Sequence, residues 1–85
     1  MTGWKVKYHK DAYKFLHKEN FLEAFEEALK DFIYKSRKVD IKKLKGKWKG
    51  KYRIRIGNIR VVFDINYDER TIYIVRAGYR GDVYK

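Results

Sequence analysis

The chain has 85 residues, and its 22 lysines and arginines against 11 aspartates and glutamates give it a formal net charge of +11. Hydrophobic residues make up 45% of the chain, too much for disorder, and the length predicts a single domain over residues 1–85 with one small core. The positive charge requires an anionic partner, which could be nucleic acid, an acidic protein or a membrane surface. The absence of cysteine excludes disulfides and thiolate metal sites. It is compatible with a reducing cytoplasm, the location that we expect. No apolar run approaches about 18 residues, so no membrane-spanning helix is expected.

The first half of the chain predicts one strand and two helices. The stretch "WKVKYHK", residues 4–10, alternates apolar and polar side chains as a strand does. Asp11 is placed to cap a short helix after it, and Asn20 to cap a longer helix within residues 20–38. The apolar residues of the longer helix repeat at helical spacing on one side: Leu22, Phe25, Leu29, Phe32 and Ile33.

The second half predicts three antiparallel strands. The stretch "YRIRI" alternates, Gly57 and Asn58 form a two-residue hairpin turn, and "IRVVFDINY" is the returning strand. The stretch "TIYIVRAGY" predicts a last strand that is apolar on both faces and therefore central in the sheet. The element order β-α-α-β-β-β predicts an α+β fold, with two N-terminal helices packed on one face of a small antiparallel sheet.

The charges of the hairpin are expected to lie on the other face of that sheet. A two-residue turn pairs Ile56 with Ile59, so the apolar residues of both strands point toward the helices. The same register pairs two more apolar couples: Tyr52 with Phe63, and Ile54 with Val61. Arg53, Arg55 and Arg60 then share the open face. Ordinary solvated surface, or an edge guarded against aggregation, is the alternative interpretation.

A lysine-rich loop beside these arginines strengthens the interpretation as a polyanion-binding surface. Nine basic and no acidic residues occur between positions 42 and 60. Arginine forks bind phosphate oxygens bidentately. The nucleic-acid contacts that we expect in addition to the arginines are Lys43, Lys45, Lys47, Lys49, Lys51, Trp48 and Tyr79. The two aromatic rings either stack on bases or anchor their loops.

The remaining polar candidates have simpler explanations. Asp40 either acts as a base beside a phosphate or ends the helical region. Asp64 and Asp82 are expected to pair with nearby arginines. His9 and His17 are too few to hold a metal ion and have no carboxylate at a metal-binding spacing, so no metal site is expected.

The stretch "KLKGKWKGKYRIRIGNIRVVFDI", followed by "RAGYRGDVYK", resembles the RelE/ParE superfamily of toxin–antitoxin toxins, and in particular the archaeal type of its RelE-like branch. The resemblance implies a ribosome-dependent endoribonuclease that cleaves messenger RNA in the ribosomal A site by 2′-hydroxyl attack on the adjacent phosphate. It implies no cofactor and no metal, and it implies an acidic, RelB-like antitoxin as partner. By motif, the catalytic positions of that branch fall on Arg53, Arg55, Arg60, Arg80 and Tyr84.

Two departures leave alternatives open. Arginine stands at the strand positions where some members carry lysine, and arginine does not readily give up a proton, so the general base is unassigned. The tail contains no histidine, so the branch with a terminal histidine acid does not fit. A ParE-like inhibitor of DNA gyrase without nuclease activity, or a plain basic RNA-binding module, remains possible. The set Arg60, Arg80 and Tyr84 distinguishes these functions, because only the nuclease needs all three at one phosphate.

Overall fold

The computed structural model describes residues 3–79, which form one five-stranded sheet and two helices. The elements in chain order are β1 (Lys5–Tyr8), α1 (Lys10–Lys18), α2 (Leu22–Tyr34), β2 (Ile41–Lys43), a 3₁₀ turn (Gly46–Trp48), β3 (Tyr52–Ile56), β4 (Ile59–Asn66) and β5 (Thr71–Tyr79). The predicted α+β fold is confirmed, with one additional short strand, β2. Neither helix of this part of the chain is long and apolar enough to cross a membrane.

The strand order of the sheet is β1-β5-β4-β3-β2. β1 runs parallel to β5, and all other neighbours are antiparallel. β5 lies between β1 and β4, so the interior position predicted for it is correct. β2 was not predicted because its three residues, two of them lysines, carry no alternating pattern. It forms only by pairing with the outer edge of β3, where Ile41 lies opposite Ile54.

The β3–β4 hairpin has the predicted register, with Tyr52 opposite Phe63, Ile54 opposite Val61 and Ile56 opposite Ile59. Gly57, in the turn, has a φ of 58°, a value that glycine adopts without strain. The apolar face of the hairpin meets the helices in a fully buried core. The core residues are Ala12, Leu16, Phe25, Leu29, Ile54, Ile59, Val61, Phe63, Ile72 and Ile74.

Both helix caps differ from the sequence prediction. His9, not Asp11, caps α1, and its Nδ1 accepts a hydrogen bond from the Asp11 backbone N–H at 3.2 Å. α2 has Phe21 at the cap position and no side-chain cap. Asn20 instead adopts a left-handed conformation, with φ of 63°, in the turn between the helices. Asparagine tolerates that conformation better than most residues, so Asn20 suits the backbone of this turn and does not cap the helix.

Candidate nucleic-acid interface

The face of the sheet opposite the helices, called the open face below, carries basic side chains from four neighbouring strands. Residues directly opposite in a sheet share a face. One row runs from Lys42 through Arg53 and Val62 to Arg76, and the next joins Arg55 to Arg60. The prediction that Arg53, Arg55 and Arg60 lie together, away from the helices, is therefore confirmed.

Asp40 holds two of these arginines. Arg55 Nη2 donates to Asp40 Oδ2 at 2.6 Å, and Arg53 Nη2 lies 3.4 Å from Oδ1 of the same carboxylate. The Arg55 backbone N–H also donates to the Asp40 carbonyl at 2.9 Å, which fixes the carboxylate next to β3. The Arg53 side chain is only 11% exposed, whereas that of Arg55 is 50% exposed. Arg53 is thus much less accessible than the sequence suggested, and Asp40 does more than end the helical region.

Lys51, at the start of β3, is also paired. Its Nζ donates to Asp64 Oδ2, on β4, at 2.8 Å. Asp64 was expected to pair with an arginine, and its partner is a lysine instead. All three basic side chains from position 51 to 55 therefore have a carboxylate partner.

Arg60 and Arg76 differ from the arginines of β3. Within residues 3–79, no carboxylate lies within ion-pair distance of either guanidinium. Arg60 lies opposite Gly78, two residues beyond Arg76, so the two arginines are diagonal neighbours in the sheet. The Cα atoms of such neighbours are about 7–8 Å apart. Both side chains are half-buried. The lysines of this face without a carboxylate partner in residues 3–79, Lys5, Lys7 and Lys42, are exposed. Arg60 and Arg76 are therefore its half-buried positive charges without a counterion in the described chain.

The loop after β2 folds across the open face. Gly46 and Gly50 have φ of 68° and 91°, and the Lys51 backbone N–H closes the loop by donating to the Trp48 carbonyl at 3.0 Å. Trp48 lines a groove together with residues 75–78 of β5, so this turn spans the sheet from β2 to β5. The lysines of the loop, Lys45, Lys47 and Lys49, are exposed.

Trp48 is half-buried and is held in place as an anchor. Lys47 Nζ lies 5.9 Å from the centre of its ring, within the range of a cation–π contact. Its Nε1 is buried and has no hydrogen-bond partner in the described part of the chain. Leaving such a donor unpaired costs about 1–3 kcal/mol. The surroundings of the indole therefore leave its hydrogen-bonding capacity unmet.

Two of the expected nucleic-acid contacts lie on the wrong face. Tyr79 is paired with Ile59 on the helix side, where its ring packs edge-on against Phe15 at 5.3 Å and its hydroxyl donates to Glu19. Lys43 is paired with Tyr52, also on the helix side, although it is exposed. The lysine of β2 on the open face is its neighbour, Lys42. We therefore remove Tyr79 and Lys43 from the candidate interface.

Both histidines make contacts that stabilise the fold. His9 caps α1, and the His17 ring stacks on Tyr13 with 6.0 Å between centroids. Residues 3–79 contain no group of three or more His, Cys, Asp or Glu side chains that could hold a metal ion.

The structure brings together only part of the expected catalytic set. Arg53, Arg55 and Arg60 share one face. Arg80 and Tyr84 lie outside the described residues, as does Asp82. The sequence interpretation missed Arg76, and the reason is a β-bulge in β5. Ile74 pairs with Phe63 but Arg76 pairs with Val62, so the bulge reverses the alternation after Ile74 and turns Arg76 to the open face.

Comparison with known families and structures agrees with this architecture. The family model described as the ParE toxin of type II toxin–antitoxin system, parDE, matches residues 4–84. A chain of the archaeal RelE–RelB complex from Pyrococcus horikoshii OT3 is 31% identical, with a TM-score of 0.69; the match covers 96% of this chain and 100% of that one. A chain of the RelB–RelE antitoxin–toxin complex from Methanococcus jannaschii is 28% identical, with a TM-score of 0.66 and coverage of 93% and 95%.

A more distant structure shares the fold alone. A chain of the heterotetrameric YoeB–YefM toxin–antitoxin complex from Staphylococcus aureus is 20% identical, with a TM-score of 0.71 and coverage of 91% and 97%. No curated protein matches the chain. The family model and the archaeal match together show that the chain belongs to the RelE/ParE superfamily of toxins of type II toxin–antitoxin systems.

Proposed function

We propose that this toxin is an endoribonuclease that cleaves messenger RNA in the ribosomal A site and thereby inhibits translation in the cytoplasm. The observation that carries the proposal is the arginine cluster of the open face, where Arg53 and Arg55 are fixed by one carboxylate and Arg60 has no carboxylate partner within residues 3–79. Positive groups held in place before reaction stabilise a developing anion more effectively than groups that must reorganise.

The proposed reaction is the attack of a ribose 2′-hydroxyl on the adjacent phosphorus. The 2′-oxygen loses its proton and bonds to phosphorus, the bond from phosphorus to the 5′-oxygen breaks, and the 5′-oxygen takes up a proton. The products are a 2′,3′-cyclic phosphate and a 5′-hydroxyl. The intermediate phosphorane carries two negative charges, so the step depends on positive charge. In this proposal the arginines supply that charge without a metal ion or cofactor.

In this proposal the basic residues have separate roles. Arg60 and Arg80 contact the phosphorane, while Arg53 and Arg55 contribute a fixed positive field beside it. Tyr84 orients the substrate or delivers the proton to the leaving oxygen. Lys45, Lys47, Lys49 and Lys51 supply the diffuse attraction to the ribosome and the RNA backbone.

The antitoxin that we propose as the second partner is an acidic, RelB-like protein. The archaeal structures similar to this chain are named as complexes of RelE with RelB. An acidic and partly disordered chain that folds on binding would neutralise the basic open face or fill the groove beside the helices. Its affinity should fall as salt concentration rises, because part of the binding is charge pairing. Affinity that is independent of salt, and unchanged when the loop lysines are neutralised, would contradict this partner.

The nuclease function is tested by adding the purified protein to a translation extract and mapping the ends of a reporter message. We expect new 5′ ends inside the translated region, present with ribosomes and absent without them. Because the matching family model is that of the ParE toxin, inhibition of DNA gyrase is the second candidate. Intact messages in the extract, together with loss of DNA supercoiling by gyrase in a parallel assay, would overturn the proposal in favour of that candidate.

A further inference from the structure

We infer that the groove between the start of α1, Trp48 and the second half of β5 is a binding site for one nucleotide of single-stranded RNA, with Arg76 as its phosphate ligand. This inference rests on the proposed function. It assigns the groove to the nucleotide next to the one bound at Arg60. The groove, called the β5 groove below, has a volume of about 560 Å³, and its walls are His9, Asp11, Ala12, Trp48 and residues 75–78. Small-molecule sites usually measure about 300–1,000 Å³.

The β5 groove exists because β5 is longer than its neighbour β1. The last β1 pair joins Tyr8 to Ile74, and the His9 backbone N–H donates to the Ile74 carbonyl at 2.9 Å. The chain then turns into α1 at Lys10, so residues 75–78 have no strand on that side within the described part of the chain. The exposed strand edge and the start of the helix are the two sides of the groove.

Arg76 lies where the β5 groove meets the open face. The β5 bulge turns its side chain to the face of Arg60, its diagonal neighbour, and no carboxylate in residues 3–79 pairs with it. Gly78, directly opposite Arg60, has no side chain to separate Arg60 from the groove. An RNA strand bound at Arg60 can therefore continue into the groove and meet a second guanidinium that no carboxylate of the described chain neutralises. Arginine is suited to this, because its fork accepts two phosphate oxygens at once.

The charges around the groove give the nucleotide a direction. Asp11, at the α1 end, is 76% exposed and lies 3.9 Å from His9 Nδ1, without a contact to Arg76. Its carboxylate repels a phosphate from that end. The phosphate therefore belongs at Arg76, and the base belongs between Ala12, His9 and Trp48. Since His9 Nδ1 accepts the Asp11 backbone N–H, the other ring nitrogen remains available for the base.

Trp48 provides a spectroscopic reporter of this site. Its buried Nε1 has no acceptor within residues 3–79. In this proposal, a polar atom of a base that enters the groove supplies one after a small rotation of the indole. The surroundings of the indole should therefore change when RNA binds. Trp4, the other tryptophan, packs edge-on against Tyr67, outside the walls of the groove, and can be replaced by Phe to leave Trp48 as the sole emitter.

The experiment measures the binding of a fully 2′-O-methylated RNA oligonucleotide, which cannot be cleaved, to the Trp4→Phe protein at low salt without ribosomes. We expect RNA to shift Trp48 emission, and we expect Arg76→Ala to weaken binding about 10-fold or more, the effect of losing a hydrogen bond to a charged group. Arg37→Ala removes the same charge from the exposed bend before β2 and should change affinity less than about 2-fold, as one non-specific charge does.

Three results would overturn the inference: no binding by the Trp4→Phe protein, equal losses for Arg76→Ala and Arg37→Ala, or binding that leaves Trp48 emission unchanged. Arg76→Gln, which keeps most of the side-chain stem, guards against a folding defect and should match Arg76→Ala in affinity while keeping the far-ultraviolet circular dichroism of the parent. The assay involves no cleavage. Arg76-dependent binding by a protein that leaves messages intact in an extract would overturn the proposed nuclease and retain the β5 groove.

Discussion

The two halves of the open face both carry positive charge, but they differ in whether that charge is paired with a carboxylate. On the β3 half, Lys51, Arg53 and Arg55 each have a carboxylate partner. On the β4–β5 half, Arg60 and Arg76 have none within residues 3–79. A paired arginine is already ordered and partly neutralised, whereas an unpaired one on a basic surface gains most from an incoming anion. The density of basic residues in the sequence therefore marks the face, and the pairing of those residues marks the position of the anion on it.

The sharpest way to test this difference is to remove Arg60. We expect Arg60→Ala to slow message cleavage by about 10²–10³, the loss typical of one preorganised donor to a transition state. Arg80→Ala should act similarly if Arg80 shares that role. Ribosome binding should change far less, because the loop lysines supply most of the diffuse attraction. The measurement is the single-turnover rate on programmed ribosomes, and equal rates for wild type and Arg60→Ala would place the reaction elsewhere.

Tyr84→Phe asks whether the tail contributes a proton or only a ring. If the hydroxyl orients the substrate or transfers the proton, the cleavage rate should fall by about 10²-fold or more, as for loss of a general acid. Binding of the uncleavable oligonucleotide should stay the same, because the ring is kept. A loss of less than a few-fold would show that the residue merely stacks on a base.

The loop lysines test whether the β3 side contributes attraction rather than chemistry. Replacing Lys45, Lys47 and Lys49 together by Gln should reduce the slope of log affinity against log salt by about 2, since each phosphate contact contributes about 0.7 on single strands. The cleavage rate of saturated ribosomes should be unchanged. A large drop in that rate would mean that the loop belongs to the reacting centre, which would end the separation of roles.

The mildest change removes the carboxylate that pairs with the two arginines of the β3 half. Asp40→Asn removes the partner of Arg53 and Arg55, and we expect a loss of about 1 kcal/mol in unfolding free energy, the upper range for partly exposed ion pairs. Affinity for RNA should rise, because a negative charge leaves the basic face. Asp64→Asn is the matched control, with a similarly exposed carboxylate on a lysine, and should cost about 0.5 kcal/mol or less. Urea titrations and oligonucleotide binding measure both; a fall in RNA affinity for Asp40→Asn would contradict the comparison.

The sequence predicted the two faces of the hairpin because a single local feature determines them. The Gly57 turn sets the β3–β4 register, and the period of two then assigns every side chain of both strands to a face. β5 could not be assigned in the same way. Strict alternation from Ile74 would send Arg76 toward the helices and Tyr79 to the opposite face. The bulge that follows Ile74 reverses the faces of both residues.

The pairing of charges also escaped the sequence, because it depends on distant parts of the chain. Asp40 reaches Arg53 and Arg55 only because β2, just after it, pairs with β3. The same unpredicted strand places Lys42 on the open face and Lys43 on the helix side. Composition could indicate a basic surface with a possible base nearby, and the tertiary structure decides which of its charges remain uncompensated.

The most direct test of the central claim, that the open face promotes attack by a ribose 2′-hydroxyl, compares two messages that differ at one nucleotide. One message is all RNA, and the other carries a single 2′-deoxynucleotide immediately upstream of the cleaved bond. On programmed ribosomes, we expect wild-type protein to cleave the all-RNA message, leaving a 2′,3′-cyclic phosphate and a 5′-hydroxyl, and to leave the substituted message intact at that position. Cleavage of the substituted message at the same bond, or of neither message, would contradict the account.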